Sequence, residues 1–224
     1  YGTDVTIGCD TAINVTVGAI DNLRTTGSSH TRAFLVETMG RNCGYLAMMA
    51  GLAGGAEVIS TPEFEVSAAD IAKRLRAAYE RGKTHAIVVI AEGVKENAAR
   101  ILEYFSSNGG MGGFELRATV LGHVVRGAPP TAFDRLLATR LGVAALTSLA
   151  EGVSGVLVGE QRGEITRTPL NFPPQELTLA AGAARPERDR FRSHPAEVHA
   201  QSIFLLGMTF SNGSKLRIHR KLRR

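Results

Sequence analysis

The chain has 224 residues, 44% of them hydrophobic and 21% charged, which is ordinary for a soluble globular protein with a sizeable core. Its two cysteines have no spacing typical of a metal site or a disulfide framework, and this favours a reducing, cytoplasmic compartment. No apolar run of about 18 residues predicts a membrane span, and no signal peptide is recognisable. Because the chain begins at Tyr1 rather than Met, we expect a fragment.

The net charge of +5 could indicate nucleic-acid binding, but its distribution argues against that function. Residues 171–224 hold 10 of the 26 basic residues and only 4 of the 21 acidic ones. The preceding 170 residues are therefore close to neutral and contain no basic stripe interleaved with aromatic residues. We expect neither a nucleic-acid partner nor a membrane partner.

Helical and extended patterns alternate along the body of the chain. The predicted helices cover residues 11–24, 43–53, 67–82, 96–107 and 131–152. The predicted strands cover residues 32–39, 56–61, 85–93 and 115–125, and a hairpin is predicted over 154–168. A flexible glycine-rich loop at 108–113 comes before the fourth strand. This order predicts an α/β fold of three layers, α/β/α, around a largely parallel sheet.

Local signals fix several of these boundaries. We expect Asp10 to cap the first helix and Arg24 to lie in its last turn. Ser67 followed by Asp70 resembles a capping box, and Gly82 should end the same helix. The continuous apolar run over 85–93 is typical of a parallel strand that is buried on both faces.

Candidate ligand-binding residues follow the ends of the predicted strands, where open α/β sheets bind their ligands. They are Met39, Gly40 and Arg41 at the end of the first predicted strand, Glu92 at the end of the third, and His123 and Arg126 at the end of the fourth. Arg32 and Arg117 stand at strand starts. Glycines let backbone N–H groups approach a ligand, arginine offers a fork for phosphate oxygens, and a carboxylate accepts bonds from sugar hydroxyls. Together they predict a site for a phosphorylated polyol.

Each of these residues also has an ordinary interpretation. A single arginine after a strand is commonly a solvated surface charge, and Arg32 and Arg117 could keep a sheet edge soluble. His123 alone is more often structural than catalytic, and Glu92 alone is more often a solvated loop carboxylate. Only the joint placement of the set at the sheet edges favours a ligand site.

Four blocks of the sequence resemble the 6-phosphofructokinases. They are "TIGCDTA", "SSHTR", "VETMGRNCGYLAMMAGLAGGAE" and "RATVLGHVVRGAPPTAFDRLLATRLG". The resemblance runs in order from Gly2 to about Leu170 and covers only the latter part of the family's chain. The fold it implies is phosphofructokinase-like and incomplete.

The resemblance implies a kinase of glycolysis that transfers a phosphoryl group from ATP, with Mg²⁺, to the 1-hydroxyl of fructose 6-phosphate, giving fructose 1,6-bisphosphate. By similarity, Met39, Gly40 and Arg41 line the sugar, Arg41 also lies near the transferring phosphoryl group, and Glu92 binds sugar hydroxyls. The 6-phosphate would be bound by Arg32, Arg117, His123 and Arg126, of which Arg32 and Arg117 come from a neighbouring subunit of a homotetramer.

A second set of residues matches the allosteric effector site of the bacterial enzymes, which takes a nucleoside diphosphate or phosphoenolpyruvate. By similarity, this set comprises Arg24, Gly55, Ala56, Glu57, Arg81, Lys83, Thr84 and His85. The residues by themselves equally fit a helix C-terminus with solvated basic side chains, which the helix dipole favours.

The chain also departs from the family pattern. The glycine-rich nucleotide-binding segments, the catalytic aspartate base and the Mg²⁺ ligands are expected upstream of Tyr1, so no metal ligand is assigned here, and Arg41 is the one catalytic candidate. The phosphoryl donor, ATP or pyrophosphate, stays open for the same reason. Val125, Ala128 and Pro129 also replace a polar residue and two small ones of the family's motif.

By resemblance, residues 9–124 form the sugar-phosphate domain, and residues 1–8 and 125–170 belong to the nucleotide-binding domain. Residues 171–224 diverge from the family pattern into a basic tail without periodicity, and we expect this tail to be disordered. It is either the product of a shifted reading frame or a genuine tail that binds anionic partners. Two functional hypotheses remain: part of a 6-phosphofructokinase that is inactive alone, or a non-catalytic module that binds sugar phosphate or effector.

Overall fold

The computed structural model describes residues 2–27, 32–107 and 113–170. The basic tail and most of the predicted glycine-rich loop lie outside these residues. The described residues divide into two units, one within residues 8–130 and the other made of residues 2–7 with 131–170. Within the described ranges, no helix is both long enough and apolar enough to cross a membrane.

The larger unit is a four-stranded parallel sheet with the strand order β2-β3-β1-β4. Its strands are β1 (Arg32–Thr38), β2 (Val58–Ser60), β3 (His85–Ala91) and β4 (Glu115–Val120). Its α-helices are α1 (Cys9–Gly27), α2 (Tyr45–Ala53), α3 (Ala68–Glu80) and α4 (Ala98–Ser107), and a 3₁₀ helix covers Gly122–Arg126.

Two cores lie on opposite faces of this sheet because successive strand side chains alternate between the faces. Leu35 and Val88 pack with residues of α3 and α4 on one face. Phe34 and Val89 pack with residues of α1 and α2 on the other. The predicted three-layer α/β/α architecture is therefore confirmed, as is the burial of the apolar strand over 85–91 on both faces.

Most helix boundaries agree with the sequence signals. Ser67 Oγ accepts the Asp70 backbone N–H at 3.1 Å, as the capping-box pattern predicts. Gly82 follows α3 with a φ of 82°, a conformation that suits glycine after a helix end. Arg24 lies in the last turn of α1, but Asp10 lies inside the first turn rather than at the cap. The helix begins earlier because Gly8 O already accepts the Ala12 N–H at 3.0 Å.

The fourth strand is shorter than predicted. It ends at Val120, and the segment predicted to continue it to residue 125 turns instead into the 3₁₀ helix. Gly122, with a φ of 51°, takes a left-handed conformation that redirects the chain. The prediction of a strand over 121–125 was wrong. The apolar residues there do not alternate between a buried and an exposed face, since Val125 is the one fully buried side chain among them.

The smaller unit contains α5 (Ala132–Ala150) and an antiparallel hairpin of β5 (Val156–Gln161) and β6 (Glu164–Pro169). The hairpin about Gly163 is confirmed: Arg162 and Gly163 form its turn with φ values of 54° and 84°. Residues near the start of the chain join this unit, since the Asp4 N–H donates to Glu160 O at 2.6 Å. Arg140 on α5 donates to the Glu160 carboxylate at 2.5 Å.

Candidate functional site

The turn after β1 is held by a carboxylate from the neighbouring strand. β1 and β3 are paired in parallel with Thr38 opposite Ala91, so the residues that follow each strand meet at the same edge. Glu92 Oε1 accepts the backbone N–H groups of Gly40 at 3.2 Å and Arg41 at 2.7 Å. The carboxylate therefore fixes the backbone of the predicted sugar-binding turn.

The backbone of this turn is unusual and tightly packed. Arg41 has a φ of 52°, a left-handed value that is uncommon for a residue with a side chain. The Cys43 N–H donates to Gly40 O at 3.0 Å and closes the turn. A Cβ atom added to Gly93 would lie 1.8 Å from Arg41 O, so only glycine leaves room for the turn at that position.

A second carboxylate at this edge holds the start of α2. Glu63, which follows β2, accepts the Gly44 N–H with both oxygens, at 2.9 and 3.1 Å. A Cβ atom added to Gly44 would lie 2.1 Å from the Thr61 Cβ atom. The helix N-terminus is thus satisfied by a side chain from a distant part of the sequence, as unpaired helix N–H groups require.

His123 and Arg126 lie on the 3₁₀ helix at the same edge of the sheet. The Leu121 N–H donates to Glu37 O at 2.9 Å, which continues the pairing of β4 with β1. Val125, one residue before Arg126, is buried in a small cluster with Met39 and Ala12. This packing holds the 3₁₀ helix beside the turn after β1. Both polar side chains are exposed, and within the described part of the chain neither has a hydrogen bond or ion pair.

Arg32 lies at the opposite edge of the sheet, and Arg117, the third residue of β4, lies opposite Phe34 and reaches Glu115 at that edge. Arg32 is the first residue of β1, whereas Met39 follows its last residue, so the strand separates them by about 20 Å at 3.3 Å per residue. Both guanidinium groups contact Glu115, which begins β4. One copy of the chain therefore does not bring all the predicted 6-phosphate ligands together.

The predicted effector residues form a third group, on the β2–β3 side of the amino edge. Arg24 Nη2 donates to Gly54 O, next to Gly55, whose φ is 62°. The Glu57 carboxylate accepts Lys83 Nζ and the Ile87 N–H, each at 2.5 Å. The segment 54–57 thus links Arg24 with Lys83.

The remaining members of this group have fewer contacts. Thr84 Oγ1 lies 3.3 Å from His85 Nδ1. The Ala56 N–H donates to Gly51 O at 2.8 Å as α2 ends. Arg81, at the C-cap of α3, is exposed and has no side-chain partner among the residues that the structure describes.

Two groups near the turn after β1 resist ionisation. Burial raises the pKa of the Cys43 thiol from 9.0 to about 11, and the nearby Glu63 charge adds to this effect while a backbone hydrogen bond from Tyr45 opposes it. Burial also raises the pKa of Tyr45, and the neighbouring Cys9, Cys43 and Asp10 act in the same direction. Both groups are therefore neutral at physiological pH.

The described residues contain no metal-binding cluster. Across 2–27, 32–107 and 113–170, no group of three or more His, Cys, Asp or Glu side chains is arranged to bind a metal. Glu92 and Glu63 accept backbone N–H groups of the turn and of α2, and neither joins a metal cluster. No catalytic step through a metal is therefore assigned to these residues.

The fold is an α/β domain with polar residues beyond the carboxyl ends of its strands, the place where open α/β sheets bind their ligands. The chain belongs to the phosphofructokinase family, because the family model described as "Phosphofructokinase" matches residues 1–149. It is 51% identical over 175 residues to ATP-dependent 6-phosphofructokinase 1 of Thermus thermophilus, covering 76% of this chain and 52% of the relative. It is 48% identical over 167 residues to the ATP-dependent 6-phosphofructokinase of Listeria welshimeri, covering 73% of this chain and 50% of the relative.

Solved structures agree with this assignment. The phosphofructokinase of Saccharomyces cerevisiae superposes with a TM-score of 0.67 at 35% identity, over 75% of this chain and 23% of that chain. The predicted resemblance and fold class are thus confirmed. The chain spans about half the length of the curated relatives it matches.

Proposed function

We propose that residues 8–130 form the sugar-phosphate-binding part of an ATP-dependent 6-phosphofructokinase. The reaction would transfer the ATP γ-phosphoryl group to the 1-hydroxyl of fructose 6-phosphate in glycolysis. The observation that carries the proposal is the Gly40–Arg41 turn, bonded to Glu92 beside the two exposed basic side chains of His123 and Arg126. The chain's 51% identity to an ATP-dependent relative supports the choice of donor.

In this proposal the roles follow from charge and position. Met39, Gly40 and Arg41 would line the sugar, and His123 with Arg126 would bind its 6-phosphate. Arg41 would also stabilise charge on the transferring phosphoryl group, since phosphoryl transfer depends mainly on positioning and electrostatics. ATP, Mg²⁺ and the general base would be held by parts of the family's fold that do not match this chain.

Glu92 has a positioning role in this proposal beyond the sugar contact that the resemblance implies. Its Oε1 atom holds the N–H groups of Gly40 and Arg41, so it would orient the turn before any substrate binds. A rotated Glu92 would release two backbone donors. Preorganised donors of this kind cost no reorganisation during the reaction.

The separation of Arg32 and Arg117 from the carboxyl edge supports an oligomer. If Arg32 binds the same 6-phosphate as Arg126, it must come from another copy of the chain, because a strand's length of about 20 Å separates it from the carboxyl edge within one copy. Arg117 is joined to Arg32 through Glu115 and would come from the same copy as Arg32. We therefore propose a homotetramer in the cytoplasm, as the resemblance implies. The segment 54–57 with Arg24 and Lys83 would bind a nucleoside diphosphate or phosphoenolpyruvate effector.

A chimeric enzyme tests this function. Residues 1–170 would replace the matching half of the Thermus thermophilus relative, which is 51% identical over 175 residues. We expect ATP-dependent phosphorylation of fructose 6-phosphate in a coupled assay, with pyrophosphate inactive as the donor. A folded chimera that binds ATP but neither binds nor phosphorylates fructose 6-phosphate would contradict the proposal.

A second candidate function is a non-catalytic module that binds sugar phosphate or effector. The observation that favours it is the exposed pair His123 and Arg126 beside the Gly40–Arg41 turn, which would bind an anionic sugar phosphate without a catalytic group. The isolated 224-residue chain should then bind fructose 6-phosphate without turnover. Turnover by the isolated chain would contradict both this function and the expectation that the base lies upstream.

A further inference from the structure

One carboxylate joins two arginines at the amino edge of the sheet. β1 and β4 are parallel neighbours, with Arg32 opposite Glu115 and Phe34 opposite Arg117. Arg32 Nε donates to Glu115 Oε2 at 3.1 Å, and Arg117 Nη2 donates to Glu115 Oε1. Each carboxylate oxygen thus accepts from a different arginine, and the two guanidinium groups already converge on a single anion.

This cluster is accessible to solutes. The side chains are 29% exposed at Arg32, 49% at Glu115 and 59% at Arg117. The hydrogen bond from Arg32 lowers the pKa of Glu115, and Arg117 lowers it further, so the carboxylate is ionised at neutral pH. Two positive charges and one negative charge leave the cluster with a net charge of +1.

We propose that Glu115 is an internal counter-ion that competes with a phosphate monoester for Arg32 and Arg117. A guanidinium binds phosphate best through two parallel N–H groups. Glu115 occupies the Nε–H of Arg32 and an Nη–H of Arg117, so a bidentate phosphate on those edges must displace it. The residue would weaken anion binding at this edge and thereby set the sugar-phosphate concentration to which the site responds.

The inference rests on the proposed function only for the identity of the anion as a sugar 6-phosphate. The competition itself concerns any phosphate. Exposed ion pairs are weak, so we expect removal of the Glu115 charge to tighten phosphate binding by about two- to tenfold for the two pairs together.

The test uses the full 224-residue chain and inorganic phosphate. Phosphate is titrated at constant ionic strength while the arginine Nε–H resonances of Arg32 and Arg117 are followed by NMR. The variant Glu115→Gln keeps the shape of the side chain but removes its charge. The matched control Glu103→Gln removes one charge from an exposed position on α4.

We expect Glu115→Gln to lower the dissociation constant for phosphate by about two- to tenfold, and Glu103→Gln to change it by less than about 1.5-fold, since distant exposed charges are screened. An unchanged or weaker affinity in Glu115→Gln would overturn the inference and would assign Glu115 to positioning the arginines. If the variant does not fold, the Cδ resonance of Glu115 in the unmodified chain decides. It should move as phosphate saturates the arginines, and an unmoved resonance overturns the inference.

The two proposals fail separately. Loss of fructose 6-phosphate turnover in the chimera, with phosphate competition intact, would reject only the proposed function. If the chimera is active but Glu115 and phosphate do not compete in the 224-residue chain, only the role of Glu115 is rejected.

Discussion

The substitution Gly93→Ala tests how the Gly40–Arg41 turn, the proposed sugar-binding turn, is built. The φ angle of Gly93 is outside the left-handed region, so alanine suits the backbone there and the effect is purely steric. The added Cβ atom would lie 1.8 Å from Arg41 O, whereas real Cβ contacts essentially never fall below 3.0 Å. The Arg41 carbonyl and Gly93 must therefore separate by about 1.2 Å, the difference between these distances.

Such a displacement has two costs. Overpacking typically costs about 1–3 kcal/mol, and movement of Arg41 also stretches the bond from its N–H to Glu92, which is 2.7 Å long. We expect the free energy of unfolding to fall by about 2–4 kcal/mol. A shift near 1 Å can also cost about a hundredfold in kcat/KM when it misplaces a catalytic group, so we expect that loss in the chimera.

Urea denaturation and amide hydrogen exchange measure these effects. The Arg41 amide should exchange faster in Gly93→Ala because Glu92 no longer protects it. The control Gly18→Ala places a methyl group in α1 where nothing lies within 4 Å, and it should stabilise the chain by up to about 1 kcal/mol. A Gly93→Ala variant with unchanged stability and a still-protected Arg41 amide would refute this description of the turn.

Three further predictions concern single side chains. In the chimera, Arg126→Ala should raise the KM for fructose 6-phosphate at least about tenfold with little change in kcat, because it removes a proposed ligand of the 6-phosphate. An unchanged KM in steady-state kinetics would remove Arg126 from the proposed site. The free energy of unfolding should fall by about 2 kcal/mol as pH rises from 9 to 11, because the folded state keeps the Cys43 thiol, with its pKa of about 11, protonated. Cys43→Ala should reduce this slope in urea titrations, leaving the part due to Tyr45, and an unchanged slope would contradict the assignment. Lys83→Ala should lower the free energy of unfolding by less than about 1 kcal/mol in the same titration, because the Lys83 side chain is 49% exposed and the Ile87 N–H still binds the Glu57 carboxylate. A loss of several kcal/mol would contradict this.

The sequence predicted those parts of the fold that depend on local chemistry. The apolar run over 85–93 identified a strand buried on both faces, and Ser67 and Gly82 marked the two ends of α3 correctly. These signals act through neighbouring residues, so they can be read without knowledge of the tertiary structure.

The errors lie where distant residues decide. Val125 is buried against Met39 and Ala12, and this packing favours a 3₁₀ turn over the predicted extension of β4. The start of α1 depends on Gly8, whose φ is 90°. The sequence does not reveal this conformation, and Asp10, two residues later, itself resembles an N-cap residue. Tertiary contacts outweighed the local patterns in both cases.

The candidate site was only partly predictable for the same reason. Strand ends correctly placed Gly40, Arg41 and Glu92 together. Glu63 was missed, although its position just after a predicted strand could have indicated the same edge. No local signal indicates that Glu92 binds the backbone of the turn, because the two are more than fifty residues apart in the sequence.

The most direct test of the central claim is an NMR titration of the chain with fructose 6-phosphate, following the backbone amides of Gly40 and Arg41 and the side chain of Arg126. The proposal predicts saturable shifts at all three positions, with larger effects than inorganic phosphate produces there, because the sugar contacts the turn. Saturable binding elsewhere, or no saturable shift at these positions, would contradict the assignment of this edge as the sugar-phosphate site.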